Sequence, residues 1–202
     1  MDKIILIGGS PTSGKSFTAR KIAEELKLPW ISTDVIGEQM RKIVRKEDYP
    51  ALFSRGNTSE MGVRFLNDNS AKEIVKRVNE EGKDVWKGVK ALIEADYVWG
   101  SYIIEGIAIT PQLAKEIAKN KKIFKALFLI DEDIDRVRKT IFERGLWDSA
   151  DKYPDKVKEK EVEWVIEFNN FIKKEAGKYG FPVVSIGNRK DYIKNILKIV
   201  KD

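Results

Sequence analysis

The stretch Ile4-Ile5-Leu6-Ile7-Gly8-Gly9-Ser10-Pro11-Thr12-Ser13-Gly14-Lys15-Ser16 decides how the rest of the chain is read. Ile4–Ile7 is a short, wholly apolar run, the pattern of a strand buried on both faces of a parallel sheet. Gly9 to Ser16 follows at once and matches G-x-x-x-x-G-K-[ST] in full. Beyond it, Ala19, Ile22, Ala23 and Leu26 recur at i, i+3, i+4 and i+7, the stripe of a helix laid on a sheet. Strand, glycine-rich turn and helix are the context in which this motif carries chemistry. The glycines let the backbone curl so that N–H groups point inward at phosphate oxygens, and the helix start adds its positive dipole end. Gly9, Ser10, Pro11, Thr12, Ser13, Gly14, Lys15, Ser16 and Phe17 are therefore the expected cradle for the phosphates of a nucleoside triphosphate. Lys15 supplies a mobile charge to the β- and γ-phosphates, and the Ser16 hydroxyl a ligand for Mg²⁺.

Working outward, short β-like runs at Pro29–Ser32, Tyr102–Ile104, Phe124–Ile130 and Pro182–Ile186 alternate with helical patterns, which predicts βαβ units on a parallel sheet. Helices are expected over Asp34 to about Arg45, Ala71–Glu81, Val85–Tyr97, Pro111 to about Lys119, after Asp131 to about Arg144, about Asp155–Lys178, and about Lys190–Lys201. The long seventh pattern carries Val157, Val162, Val165, Ile166, Asn169 and Ile172 on its inner side. Tyr49–Asn69, with Pro50, Gly56 and Gly62, breaks the periodicity and is expected to be irregular. Gly145–Pro154 reads as a loop, in which Trp147 and Tyr153 are taken as packing residues. There is neither an internal repeat nor a linker, so residues 1–202 read as one α/β domain. Residues 34–100 form a helical insert on the acceptor side and residues 133–155 a lid.

Composition narrows the chemistry. The 202 residues include no cysteine and no histidine, which removes thiolate nucleophiles, Cys-ligated metals and His-based triads, and leaves Asp, Glu, Lys or Tyr for proton transfer. Lys and Arg number 38 against 32 Asp and Glu; an excess of +6 spread over intermixed signs fits an anionic small ligand and does not form the basic run of a nucleic-acid groove. No apolar stretch approaches the length of a membrane span or a signal peptide, so a cytoplasmic setting is expected. A GTPase would need D-x-x-G after the third strand and N-K-x-D late in the chain. The third strand instead ends Glu105-Gly106, and the late segment reads Asn188-Arg189-Lys190-Asp191.

In an open parallel sheet the ligand lies beyond the carboxyl ends of the strands. The second strand ends Ile31-Ser32-Thr33-Asp34, which puts Asp34 beside the phosphate loop, where it competes between capping the next helix and orienting an acceptor hydroxyl. At 100° per residue Asp34, Glu38, Arg41 and Arg45 share one helix face, with Ile36, Met40 and Ile43 on the other. Arg41, and with it Arg45, Arg55 and Arg64, is a candidate to hold the acceptor's anion. Glu105, with Gly106 allowing close approach, serves either the metal's water shell or the acceptor. Arg136, Arg138 and Arg144 follow the fourth strand, where guanidinium groups carried by a lid can cancel charge on a transferred phosphoryl group. Arg138 and Arg144 are the catalytic candidates there, alongside Lys15 and Asp34.

At these residues the chain resembles the P-loop kinase group that contains adenylate, shikimate and gluconate kinases. GGSPTSGKS, ISTD, the run Ile103–Pro111 and the distal Arg144 are more narrowly similar to 2-phosphoglycerate kinase-like proteins. The resemblance implies a three-layer α/β/α fold with a five-stranded parallel sheet in order 2-3-1-4-5, a lid after the fourth strand, and Mg-ATP as donor. It also implies that Asp34 faces the acceptor hydroxyl and that Gly187–Asn188 lies near the adenine. The expected activity is γ-phosphoryl transfer to a small anionic metabolite of the 2-phosphoglycerate kind. A nucleotide or polynucleotide 5′-hydroxyl kinase and a non-enzymatic ATP-binding regulator are the alternatives, and oligomeric state is left open.

Overall fold

A computed structural model describes residues 3–54, 56, 58–95, 98–118, 123–146, 150–187 and 191–201. Five parallel strands, β1 (Lys3–Gly9), β2 (Trp30–Ser32), β3 (Tyr102–Glu105), β4 (Ile123–Ile130) and β5 (Val183–Ser185), form one sheet in the order β2-β3-β1-β4-β5. This is the expected order, with β1 at the centre. Its alternate residues feed two separate cores. Ile5 and Ile7 point to one face, where Ala19 and Ile22 of α1 (Lys15–Leu26) and Tyr192, Ile196 and Val200 of α8 (Tyr192–Lys201) cover the sheet. Ile4 and Leu6 point to the other, against α4 (Ala71–Ala95), α5 (Pro111–Ile117) and α7 (Asp155–Tyr179). A strand covered on both sides has no solvent face, which is why its sequence shows no polar alternation.

Between β2 and β3 the chain builds α2 (Thr33–Ile43), a 3₁₀ turn at Pro50–Phe53, α3 (Ser59–Asp68) and α4. Two expectations need correction here. The patterns over Ala71–Glu81 and Val85–Tyr97 are one continuous helix as far as Ala95. Its stripe of Ile74, Val75, Val78, Val85, Trp86 and Val89 is interrupted only by the buried pair Glu81 and Gly82. Gly82 permits close packing rather than a break, since a Cβ there would stand 3.4 Å from Ala108 Cα. Tyr49–Asn69 is likewise not wholly irregular. Thr58 caps α3 by accepting from the Met61 N–H at 3.2 Å, a start signal hidden by the glycines around it. Ile43 shares a helix face with Ile36 and Met40 but is 82% exposed because α2 ends there, while Ile36 is buried and Met40 half-buried.

After β4, α6 (Ile134–Arg144) starts at an Asp133 cap. The end of β4 is fixed by Asn169 of α7, whose amide donates to the Asp131 carbonyl at 2.7 Å and accepts from the Asp131 N–H at 3.3 Å. Asn169 thus occupies an inner position of α7, as its phase requires, and satisfies a strand end instead of leaving a buried amide unpaired.

Gly8 tests the tightness of this centre. A methyl group there would stand 2.5 Å from Phe128 Cε1 and against the Ile109 carbonyl, a backbone atom with little room to give. Gly8→Ala should cost about 2–3 kcal/mol by overpacking. Differential scanning calorimetry should show Tm lower by roughly 5–10 °C; an unchanged Tm would contradict this packing.

Candidate functional site

The phosphate loop leaves β1 through Gly9 (φ 137°), whose position against the Leu129 backbone has no room for a side chain. Ser10 then donates its N–H to the Leu129 carbonyl at 3.2 Å, and the Ser13 hydroxyl donates to the Ser10 carbonyl at 2.7 Å. Thr12 takes a left-handed conformation (φ 63°), uncommon for a β-branched residue and an instance of local strain at a binding loop. Gly14 (φ 73°) is the N-cap of α1 and offers no side-chain cap, and the first turn holds no acidic residue. The leading N–H groups of α1 are therefore left for an external acceptor. Ser10 Oγ and Thr12 Oγ1 are buried without a hydrogen-bond partner among the described residues. Lys15 folds back so that its ammonium donates to the Ser10 carbonyl at 2.6 Å. Burial lowers its pKa, the Glu105 and Asp34 carboxylates push it back up, and Arg144 pushes it down again. Glu105, Asp34 and Arg144 therefore all lie within electrostatic reach of Lys15.

Across from the loop, the ends of β2 and β3 supply the carboxylates. Ser32, not Asp34, caps α2, accepting the Asp34 N–H at 3.2 Å. The exposed Asp34 carboxylate is therefore free of the capping role. Glu105 is 1% exposed, and its Oε1 has no partner among the described residues. Burial raises its pKa, opposed by Lys15 and by the Ser32 and Ser16 hydroxyls nearby. Gly106 (φ 145°) lets this strand end abut Thr33, since any side chain there would collide with the Thr33 hydroxyl.

A cavity of about 860 Å³ brings these groups together; Pro11, Thr12, Gly14, Lys15, Ser16, Phe17, Asp34, Arg41, Glu105 and Arg144 all line it. Gly9, Ser10, Ser13 and Gly106 stand behind that wall, as backbone that shapes it. Arg41 is already engaged. It donates to the Leu52 carbonyl at 2.7 Å, to Glu38 at 2.6 Å, and to the buried Glu81. Arg138 does not line the cavity and pairs with Glu159 at 3.1 Å. Arg136 pairs with Asp131 and Asp133, Arg45 with Asp48, and Arg64 with Glu60, all away from the cavity wall. Asn188, Arg55 and Trp147 lie outside the described residues.

Glu81, Tyr153 and Glu161 also line the cavity and were not among the expected site residues. Two of them were visible as a pattern. Glu81 falls at i+3 from Val78, and Glu161 midway between Val157 and Val165, so each carboxylate occupies a core-facing phase of its helix. Glu161 is fully buried, and burial raises its pKa to about 7, although Tyr153 and Lys158 favour its ionised form.

The donor set suits magnesium. Among the described residues no three His, Cys, Asp or Glu side chains cluster as a self-contained metal cage. What the cavity offers is the Ser16 hydroxyl and the unpartnered oxygen of Glu105, hard oxygen donors of the kind Mg²⁺ takes together with water and substrate phosphates.

No protein-family model matches the chain. It is 31% identical over 201 residues to a 2-phosphoglycerate kinase of Methanothermobacter thermautotrophicus and 29% identical over 203 residues to one of Methanocaldococcus jannaschii, each alignment covering 98% of this chain. The chain spans 64% and 63% of the length of those two relatives. Among solved structures it is similar to a gluconokinase of Sinorhizobium meliloti (TM-score 0.52, 13% identity, 99% of this chain and 92% of that one). It is similar also to a shikimate kinase of Acinetobacter baumannii (TM-score 0.51, 14% identity, 100% and 93%). The fold is that of the P-loop kinases.

Glu161 gives this site a measurable stability signature. Its carboxyl titrates at an ordinary 4.5 when unfolded and at about 7 when folded, so between those values the folded state holds the extra proton. The associated stability is fully present below pH 4.5 and is lost as pH rises through 7, by at most about 3 kcal/mol. Glu161→Gln cannot ionise, so its Tm should exceed that of the wild type by several degrees at pH 8 and by little at pH 5. An equal difference at the two pH values would contradict the burial of this carboxylate.

Proposed function

We propose that this protein is an ATP-dependent kinase that moves the γ-phosphoryl group onto a hydroxyl of a small anionic metabolite of the 2-phosphoglycerate kind. One observation carries the reading: the uncapped start of α1 with Lys15 faces Asp34 and Glu105 across a single cavity. The relatives named above support the substrate class, and the P-loop kinase fold supports the reaction.

In this reading the α1 N–H groups and Lys15 neutralise the donor phosphates. Ser16 holds Mg²⁺, and Glu105 holds the metal's water shell or the acceptor; bound there, the metal offsets charge on the donor phosphates. Asp34 orients the acceptor hydroxyl and takes its proton as the oxygen bonds to the γ-phosphorus and the bond to ADP breaks. Arg144 adds a cation above the transferred group, and segment 133–155 acts as the lid that carries it. Arg138, bound to Glu159, would reach the site only by leaving that pair. Arg41 keeps Glu81 and the Leu52 carbonyl, and the acceptor's anion takes the place of the exposed Glu38 on its remaining nitrogen. Helices of segment 34–100 form the acceptor side. We place the reaction in the cytoplasm, where ATP and phosphorylated metabolites are found, and expect no nucleic-acid partner. No helix among the described residues is long and apolar enough to cross a membrane.

The test is ADP formation from Mg-ATP with 2-phosphoglycerate and a panel of hydroxy acids, sugar acids and their phosphates. Lys15→Ala should lower transfer at least about 100-fold in a protein that still folds, because it removes charge compensation at the donor phosphates and no apolar core contact. Wild-type turnover in that variant would remove the phosphate-loop assignment.

Asp34→Asn separates base from bystander. Ser32 does the capping, so the substitution leaves α2 intact, while loss of a positioned base typically costs 10²–10⁴-fold. A fall in kcat of at least about 100-fold is expected, and a fall under about threefold would leave the acceptor side without its base.

A further inference from the structure

Arg144 is the last residue of α6, and the chain just after it is tied down. Gly145 (φ 75°, ψ 174°) ends the helix, its N–H closing on the Ile141 carbonyl at 2.8 Å. The next N–H, that of Leu146, leaves the helix and donates to the Tyr153 hydroxyl at 3.3 Å. That hydroxyl stands 3.0 and 3.2 Å from the two carboxylate oxygens of Glu161, to which it donates in turn. The chain of donors therefore runs from the backbone beside Arg144, through a side chain seven residues on, to a carboxylate on α7. Its inner end is enclosed, with Tyr153 8% exposed and Glu161 fully buried, while Leu146 is half-buried. Tyr153, Glu161, Leu146 and Arg144 line the same cavity as Lys15.

Packing alone does not account for this arrangement. Glu161 interrupts the apolar stripe of Val157, Val162 and Val165, and its raised pKa means that an ionised carboxylate there is held at a cost in stability. A leucine would fill the space without that cost. What a leucine cannot do is accept the tyrosine proton and so turn the hydroxyl's lone pair toward Leu146.

We infer that Tyr153 and Glu161 are positioning residues: Glu161 orients the Tyr153 hydroxyl, the hydroxyl holds the Leu146 amide, and the held amide aims Arg144 at the phosphate loop. The inference rests on the kinase reading for its catalytic consequence but not for its geometry. Neither residue touches the reacting atoms; they act through Arg144.

Tyr153→Phe removes one oxygen and keeps the ring. It should lower kcat about tenfold or more and Tm by a few degrees, for the buried hydrogen bonds it removes, while the affinity for a fluorescent ATP analogue, measured without turnover, changes little. Hydrogen exchange at the Leu146 amide should accelerate by a similar factor. Glu161→Gln retains an acceptor and should keep the amide protected, whereas Glu161→Leu should expose it. In an Arg144→Ala background the added Tyr153→Phe should produce no further loss of kcat, because the two act as one unit. Wild-type kcat in Tyr153→Phe, or full additivity with Arg144→Ala, would overturn the positioning role. Fast exchange at Leu146 in the wild-type protein would overturn the clasp itself. Exchange needs no turnover, so a protected Leu146 that Tyr153→Phe exposes, in a protein that transfers no phosphate, would remove the kinase reading and leave the clasp standing.

Discussion

The close approach of Gly9 to the backbone of β4 sets the geometry on which the cavity depends. Because the Leu129 carbonyl and amide press on Gly9, and the same carbonyl takes the Ser10 N–H, β1 can end only by turning sharply away from the sheet. That turn delivers the chain to the start of α1 with its first N–H groups facing outward. The sheet register does the rest. Glu105 pairs with Ile7 on one side and with Ser32 on the other, so the end of β3 lies between the phosphate loop and the start of α2. Lys15, Glu105 and Asp34 converge because three adjacent parallel strands end together, and no long loop is needed to gather them.

Charge inside the cavity is arranged in mixed signs, and the balance explains why buried ions persist there. Burial alone drives Lys15 toward its neutral amine and Glu105 toward its neutral acid, and each opposes that drift in the other. Arg41 and the buried Glu81 form an ion pair on the same cavity wall, with the Leu52 carbonyl occupying a further guanidinium donor. A lone partner left behind at either place would be an uncompensated buried charge. Half-buried Arg41 is consequently as much a tie between α2 and α4 as a receptor for an anion.

The fold was legible in the sequence because its signals were local and redundant: an apolar run, a complete loop motif, then a helical stripe, repeated with β-like runs down the chain. The misread segments have physical causes. Gly82 looked like a helix end and is a packing contact with Ala108. Thr58 starts a helix among glycines that suggested disorder of pattern. The phosphate loop, Asp34, Glu105 and Arg144 were legible as candidates because they sit at strand ends or next to them. Glu81 and Glu161 were harder, since their partners, Arg41 and Tyr153, lie on other elements, and only the phase of each carboxylate within an apolar stripe marked it as buried. Arg138 shows the converse: its place after β4 suggested the cavity, but its direction around α6 sends it to Glu159.

Both ends of the connection between β4 and α7 are secured by polar groups where apolar ones would serve packing as well. At its start, Asp131 holds Arg136 while Asn169 clamps the Asp131 backbone; at its return, Tyr153 meets Glu161. An apolar contact tolerates sliding, because dispersion and burial depend weakly on direction. A hydrogen bond in a buried site does not, since a displaced donor loses its partner and finds no water to replace it. The two anchors therefore confine α6 in direction as well as in position, and Arg144 at its far end inherits that constraint. A guanidinium on an exposed helix terminus samples several rotamers, each placing its charge differently relative to Lys15. Fixing the backbone beside it sets the point from which those rotamers reach before any ligand arrives, a contribution to the preorganisation that stabilises developing charge.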